Sequence, residues 1–189
     1  MISNALQFTR DALDQYLKNL FGLGESKVLL NKLIENNGDV PPGNQNKVLI
    51  TLINIEKETL KPFYQRNQKN DNGGYSNMST SERYNLFILI SANFDDYTEG
   101  LQFLNACMQF FQVNQAIDSN SYSGMPADVG RLEYDIEKIT YHQMHGLWTS
   151  MGARYLPSVV YKTRLLTIQE GESYSFTSPV TSTSNSATA

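Results

Sequence analysis

The sequence predicts an α+β fold, a mainly antiparallel sheet of four to five strands packed with two to three helices. Two runs, 48–56 and 83–94, are apolar at successive positions, as strands buried on both faces are. Two longer segments, 3–20 and 97–113, repeat apolar residues at helical spacing. Residues 131–139 alternate apolar and charged side chains, which indicates a strand with one face in water.

The first predicted helix runs from Ser3 to Leu20 and ends at the Gly-Leu-Gly sequence 22–24. One side of it carries Leu6, Leu13, Leu17 and Leu20. The apolar run 27–34 that follows fits a strand or a short helix, and we interpret it as a strand. Residues 36–46 have the composition of a loop.

A long polar segment, 61–82, separates the two most apolar runs and has Gly73 and Gly74 near its tip. Loops of this length in compact domains are usually functional or disordered. We expect the flanking strands, 48–56 and 83–94, to pair as a long hairpin.

The second helix is predicted to begin after Asp96, with Glu99 three residues into it, and Asp95 and Asp96 are both interpreted as helix caps. Its inward stripe is predicted from apolar spacing to be Leu101, Leu104, Met108 and Phe111. Residues 120–130 read as a loop.

The strand 131–139 is expected to turn three apolar side chains inward: Leu132, Tyr134 and Ile136. A capping-box pair, Thr140 and Gln143, then predicts a third helix lying beside an edge of the sheet. Its inward residues are predicted to be Met144, Leu147, Trp148 and Met151.

The last long strand is predicted over 158–168, with Pro157 at its entry. Its two faces carry Val159, Tyr161, Thr163 and Leu165 on one side, and Val160, Lys162, Arg164 and Leu166 on the other. The domain is therefore expected to span 1–170, followed by a Ser/Thr-rich C-terminal arm at 171–189 that has nothing to build a core.

Composition excludes several classes of protein. The 189 residues carry 15 basic and 19 acidic side chains, a formal charge of -4, which argues against a nucleic-acid binder. Cys107 is the single cysteine, so no disulfide can form within the chain. The N-terminus lacks the continuous apolar stretch of a signal peptide, and no apolar run is long enough to span a bilayer. We expect a protein made and folded in the cytosol, with no membrane partner.

Three groups of residues are candidates for chemistry, and each has a simpler structural interpretation. His142 and His145, at i and i+3, could share a metal, but no cysteine or carboxylate cluster adjoins them, so packing or exposure is favoured. Cys107 lies within an apolar helix stripe, which favours a buried structural thiol over a nucleophile. The row Glu133, Asp135 and Glu137 fits a solvated strand face better than a calcium site.

No phosphate loop, dinucleotide fingerprint, nucleophile elbow or zinc-protease motif is present, and the DNGG sequence at 71–74 is interpreted as a flexible loop tip. The sequence therefore predicts a protein that acts through its surface and its assembly, with no catalytic residues, cofactor or metal.

Residues 147–166, LWTSMGARYLPSVVYKTRLL, read as a helix ending in Leu-Trp, a Gly-Ala-basic-Tyr-Leu-Pro-Ser run, and a Val-rich strand ending in Tyr-Lys-x-Arg. This pattern resembles the closing signature of the cap proteins of extracellular contractile injection systems of the antifeeding-prophage type. Three further blocks, 48–58, 84–112 and 132–140, are also similar to that family. The positions that carry the first match are Leu147, Trp148, Gly152, Ala153, Arg154, Tyr155, Leu156, Pro157, Ser158, Val160, Tyr161, Lys162 and Arg164.

The resemblance implies a structural cap similar to phage tail terminators. Such a cap forms a six-fold ring at the baseplate-distal end, stops growth of the inner tube and anchors the last sheath ring. Its partners would be copies of itself and sheath and inner-tube or tube-terminator subunits, with no nucleic acid. It would be assembled in the bacterial cytoplasm and leave it as part of a released particle.

Interface candidates follow from the same resemblance and from exposed or edge positions. They are Arg154, Tyr155, Lys162, Arg164, Tyr174 and Phe176. Lys162 and Arg164 either meet an acidic partner surface or are solvated, and residues 173–178 could add an edge strand to a sheath subunit. The chain departs from the family pattern in the long 61–82 segment and in the arm at 171–189. Because this arm stands in place of a second domain, we expect a short member of the family.

Three other functions remain open from sequence. One is a terminator or connector of an ordinary phage tail. Another is an enzyme, for instance a metal hydrolase that uses His142, His145 and Glu137. The third is a non-catalytic adaptor that loads cargo without terminating a tube.

Overall fold

The structure is a computed structural model that describes residues 1–58, 67–69, 75–77, 83–118, 121–122, 124–167 and 176–177. Only the backbone is described for 67–69, 75–77, 166–167 and 176–177. The helices are α1 (Ile2–Phe21), α2 (Tyr97–Val113) and α3 (Tyr141–Met151), with a 3₁₀ turn at Pro42–Asn44. The strands are β1 (Val28–Leu30), β2 (Lys47–Lys57), β3 (Asn67–Lys69), β4 (Tyr75–Asn77), β5 (Arg83–Asn93), β6 (Ala116–Asp118), β7 (Val129–Ile136), β8 (Ser158–Thr167) and β9 (Phe176–Thr177).

The main sheet has six strands in the order β1-β2-β5-β8-β7-β6, and every pairing except β1 with β2 is antiparallel. The predicted α+β class is therefore confirmed, with one strand more than expected because β6 is a three-residue edge strand. The predicted hairpin is also confirmed, since β2 pairs with β5 and Ile50 lies opposite Ile90. A bulge between Leu52 and Asn54 interrupts this pairing.

Helices α1 and α2 cover one face of the sheet. Leu13 and Leu17 of α1 are fully buried, and they pack in one core with Phe110 and Phe111 of α2. Helix α1 ends where Gly22 adopts a left-handed conformation (φ 65°), which glycine takes without steric cost. The predicted bounds of this helix are confirmed to within a residue at each end.

The inward stripe predicted for α2 is confirmed at Phe111, and in part at Leu104, which packs against the main core, but it is wrong at Leu101. Leu101 is 41% exposed and Leu104 and Met108 are half-buried, whereas the buried side chains are Phe103, Ala106, Cys107, Phe110 and Phe111. The helix is apolar around a wide arc, so spacing alone does not fix its rotation. Stacking of Phe103 on Phe94, with ring centroids 4.7 Å apart, fixes it instead.

Of the two helix caps predicted for α2, Asp96 is confirmed and Asp95 is wrong. Asp96 is the N-cap, and its carboxylate accepts a hydrogen bond of 2.7 Å from the Glu99 N–H. Asp95 is not a cap, because its carboxylate accepts from the side chains of Gln45 and Asn46 and so ties the 3₁₀ turn to the end of β5.

Helix α3 covers part of the opposite face, and the prediction that it lies beside an edge is wrong. Trp148 packs in a second core with Leu49, Leu89 and Val160, one residue from each of the three central strands. These strands are apolar on both faces, so both faces need a cover. By contrast Ile136, predicted to point into the core, is 58% exposed because it is the last residue of β7 and no helix extends over it.

A second, smaller sheet pairs β3, β4 and β9 in that order, all antiparallel. The 61–82 segment therefore contributes two strands, which its polar composition did not indicate. The loop tip at 71–74 and most of the arm at 171–189 lie outside the described residues. Within the part of the chain that is described, no helix combines the length and apolarity needed to cross a bilayer.

Candidate functional site

The segment 147–166 begins inside α3, whose start is held by a capping box. The Thr140 hydroxyl accepts from the Gln143 N–H at 3.3 Å, and the Gln143 side-chain oxygen accepts from the Thr140 N–H at 2.9 Å. The helix ends at Gly152, in the left-handed conformation with φ 66°. A Cβ at this position would lie 3.4 Å from Ile34 Cδ1, so the turn out of α3 is also close-packed.

Loss of the cap is expected to destabilise the protein. Thr140→Ala should lower the free energy of unfolding by about 1 kcal/mol, because the helix loses a side-chain acceptor at its first turn. Urea denaturation with far-UV circular dichroism measures this. Thr149→Ala on an exposed position of the same helix is the matched control, and it should leave stability unchanged or slightly higher. Equal losses in the two variants would contradict a capping role for Thr140.

Trp148 anchors α3 to the sheet and forms the base of an open groove. Its side chain is 5% exposed, and its ring meets that of Tyr155 edge-on at 5.5 Å between centroids. The indole N–H is buried, and no described residue accepts a hydrogen bond from it. A buried donor left unpaired costs about 1–3 kcal/mol, so this is an unusual feature of the site.

The groove lies between α3 and the turn that leads into β8, and its volume is about 350 Å³. Its rim is aromatic, because Tyr141 is 89% and Tyr155 is 68% exposed. The residues that line it are Tyr141, Met144, His145, Trp148, Thr149, Gly152, Ala153 and Tyr155. No acidic side chain is among them. Arg154 lies exposed between two of the lining residues, and no described residue forms an ion pair with it.

The stretch of sequence around the groove carries basic but no acidic side chains. Between residues 138 and 167 the sequence has no aspartate or glutamate, whereas it has four basic residues in a protein whose net charge is -4. These four are Lys138, Arg154, Lys162 and Arg164. The site is therefore an apolar, aromatic groove in a locally cationic segment.

Lys162 and Arg164 lie further along β8, on the face that α3 covers only in part. Arg164 is already paired within the chain: its guanidinium contacts the Glu133 carboxylate at 2.8 Å and lies 3.7 Å from that of Glu58. The hydrogen bond to Glu133 raises the pKa of Arg164, although partial burial opposes the rise. Lys162 is half-buried and has no ion pair among the described residues.

The structure thus brings together only some of the predicted interface residues. Arg154 and Tyr155 lie at the groove, before β8 begins, whereas Lys162 and Arg164 follow along the strand. Tyr174 lies outside the described residues, and the backbone of Phe176 pairs with Ser76 of the same chain in the small sheet. Within the segment 173–178, which was predicted to add a strand to a sheath subunit, Phe176 therefore forms a strand pair inside this chain.

Sequence reasoning missed two contributors. Tyr141 forms the groove rim from the first turn of α3, and the signal that could have found it is an aromatic residue on the outward side of a helix next to a capping box. Glu58 pairs with Arg164 across strands, and no local pattern indicates a contact between residues this far apart in sequence.

The candidates for chemistry occupy structural or exposed positions. His142 and His145 are exposed on α3, and among the described residues no group of three or more metal-ligating side chains comes together. Glu133 of the acidic row is paired with Arg131 at 2.9 Å and with Arg164. Cys107 is fully buried, as predicted, and burial raises its pKa to about 12.

This burial should make Cys107 unreactive in the folded protein. At pH 8 the thiol remains protonated and inaccessible, so we expect no reaction with Ellman's reagent on a timescale of minutes. After unfolding in urea, one thiol per chain should react. Rapid modification of the folded protein would contradict the structure, and unfolded protein measured in parallel controls for prior oxidation.

Comparison with known proteins places this fold. The family model described as the Pvc16 N-terminal domain matches residues 5–182. No curated protein matches the chain. A solved sheath/tube terminator of the extracellular contractile injection system PVC, in its extended state, is similar with 14% identity and a TM-score of 0.62, over 100% of this chain and 64% of that one.

The anti-feeding prophage cap, described as a tube-terminating cap, is similar with 14% identity and a TM-score of 0.58, over 95% of this chain and 60% of that one. The chain therefore spans less than two thirds of the length of either structure. At this identity the likeness concerns the fold. The resemblance to cap proteins predicted from residues 147–166 is confirmed, and because the family model spans nearly all of the sequence, this chain belongs to the Pvc16 N-terminal domain family.

Proposed function

We propose that the chain is a structural cap of a phage-tail-like contractile injection particle, which terminates the inner tube and anchors the last sheath ring at the baseplate-distal end. The observation that carries this proposal is the family match over residues 5–182. The fold shared with a PVC sheath/tube terminator and with the anti-feeding prophage cap supports it.

Termination in this proposal is a matter of geometry rather than chemistry. Identical subunits close a ring when the rotation between neighbours divides a full turn. The resemblance to cap proteins implies a ring of six. The partners are then neighbouring copies, sheath subunits and inner-tube or tube-terminator subunits. Such contacts need a rigid subunit, and a sheet covered on both faces by helices supplies one.

Among the predicted interface residues, the structure favours Arg154 and Tyr155 as contacts. Both are exposed beside the groove, and no described residue pairs with the Arg154 charge. Lys162 would be a second basic contact, on the face of β8 that α3 covers in part. Arg164 contributes less, since a partner would compete with Glu133 for its guanidinium. The arm at 171–189 would dock on a neighbouring subunit, in addition to the pairing of the Phe176 backbone with Ser76 of the same chain.

A non-catalytic role is part of the same proposal. The single thiol is buried with a raised pKa, which does not suit a nucleophile. Burial also raises the pKa of Tyr134, and a 2.7 Å hydrogen bond between its hydroxyl and that of Thr9 inside the core opposes the rise. The subunit would be assembled in the bacterial cytoplasm and leave the cell as part of the particle.

The position of the chain in the particle tests this proposal. A small epitope tag after Gly38, in an exposed turn, is to be labelled with gold-conjugated antibody on purified particles. We expect labels at one end, opposite the baseplate. Label along the sheath or at the baseplate would contradict a distal cap, and particles that carry untagged protein measure background.

A further inference from the structure

The groove over Trp148 has the composition of a protein recognition site. Tryptophan, tyrosine and arginine are the residues that most often dominate binding energy at interfaces, and all three meet here in Trp148, Tyr141, Tyr155 and the adjacent Arg154. A cavity of about 350 Å³ is at the lower end of the range for ligand sites, and its open rim suits an apolar side chain projecting from a peptide.

The charges around the groove select the occupant. The groove lining contains no carboxylate, and the exposed Arg154, which lies between the lining residues Ala153 and Tyr155, has no ion pair among the described residues. Two acidic groups on other elements are engaged within the chain. Glu35 is paired with Lys32 in the loop whose Ile34 contacts the turn at Gly152, and Asp96 caps α2.

We propose that this groove binds an acidic peptide segment of another protein, with an apolar side chain seated over Trp148 and carboxylates next to Arg154. A guanidinium that is free and exposed can receive a carboxylate through two parallel hydrogen bonds. The proposal rests on the capping role in so far as Arg154 and Tyr155 are contacts of the cap, and its test uses the purified chain alone.

Trp148 itself is the probe, because it is the only tryptophan in the protein. The purified full chain is titrated with the blocked peptide Glu-Asp-Glu-Leu-Phe-Asp-Glu-Asp while tryptophan emission is recorded. A second peptide has lysine in place of each acidic residue and keeps the Leu-Phe pair. We expect a saturable change in emission, with the acidic peptide binding at least about tenfold more tightly than the basic one.

Three variants locate the binding. Arg154→Glu should weaken the acidic peptide about tenfold or more and remove the preference over the basic peptide. Arg10→Glu makes the same charge change on α1, which covers the opposite face of the sheet, and should bind like the unmodified chain. Tyr155→Ala should weaken both peptides, because it removes an aromatic wall of the groove. Both variants at the groove change exposed residues, and thermal melts confirm that they fold.

Four results would overturn the proposal: no saturable change at millimolar peptide, equal binding of the two peptides, an equal loss in Arg10→Glu and Arg154→Glu, or emission that changes with protein concentration in parallel with oligomeric mass. The last would identify a second copy of this chain as the occupant. A failed titration leaves the capping role untouched, since that role is tested by the position of the chain in the particle and by tube length.

Discussion

Phe111→Ala should lower the free energy of unfolding by about 3–5 kcal/mol. Phe111 is 1% exposed, and its ring lies 4.4 Å from that of Tyr161 and 5.0 Å from that of Tyr134, measured between centroids. It therefore joins α2 to the two strands β7 and β8. Removing the ring leaves a cavity where a helix meets the sheet, and equilibrium urea denaturation measures the cost.

The matched control is Leu101→Ala on the same helix. Apolar spacing assigns Leu101 to the core beside Phe111, whereas the structure leaves it 41% exposed. We expect a loss below about 1 kcal/mol, since little apolar area is removed from the core. A loss at Leu101 as large as that at Phe111 would mean that α2 is rotated toward the stripe predicted from sequence.

Asp14→Ala should cost about 2–4 kcal/mol, because one buried carboxylate connects helix α1 to strand β1. Its Oδ1 accepts from the backbone N–H groups of Lys27 and Val28, at 2.8 and 3.0 Å, and its Oδ2 pairs with Lys18 at 2.8 Å. The substitution leaves two backbone donors without their acceptor. Asp11→Ala, at an exposed position of the same helix, should change stability by no more than about 0.5 kcal/mol.

The same carboxylate predicts a dependence on pH. Burial raises the pKa of Asp14, but the hydrogen bonds from Lys18, Lys27, Ser26 and Val28 outweigh it and hold the pKa below the ordinary value of 3.8. A carboxyl group whose pKa is lowered on folding adds stability above its unfolded pKa and loses it as the pH falls through the folded pKa. The difference between Asp14→Ala and the unmodified chain should thus be constant above about pH 5 and shrink below pH 3.8. A difference that grows on acidification would contradict this contact.

Sequence patterns predicted the elements whose signals are local. The bounds of α1, the capping box of α3 and the alternation on β8 need only neighbouring residues, and all three are confirmed. The β2–β5 hairpin was predictable because two strongly apolar runs had no other nearby partner of equal length. The predictable features therefore depend on residues close together in sequence, or on strongly apolar segments.

What sequence could not predict depends on contacts between distant elements. The rotation of α2 is fixed by Phe94 and Phe103, and the position of α3 is fixed by three central strands that present Leu49, Leu89 and Val160. The groove forms where Tyr141, at the start of α3, and Tyr155, in the turn after α3, lie on either side of Trp148. The sequence indicated Tyr155 as an interface candidate, whereas Tyr141 alone reads as an ordinary exposed side chain.

The length of the inner tube tests the central claim most directly. Particles are purified from cells with and without this gene and from cells with the gene restored, and tube length and end structure are measured by negative-stain electron microscopy. If the chain terminates the tube and anchors the sheath, loss of the gene should give tubes of unbounded or ragged length, with sheaths that slip from the distal end. Normal capped particles of unchanged length would contradict it, and would favour a cargo adaptor over a terminator.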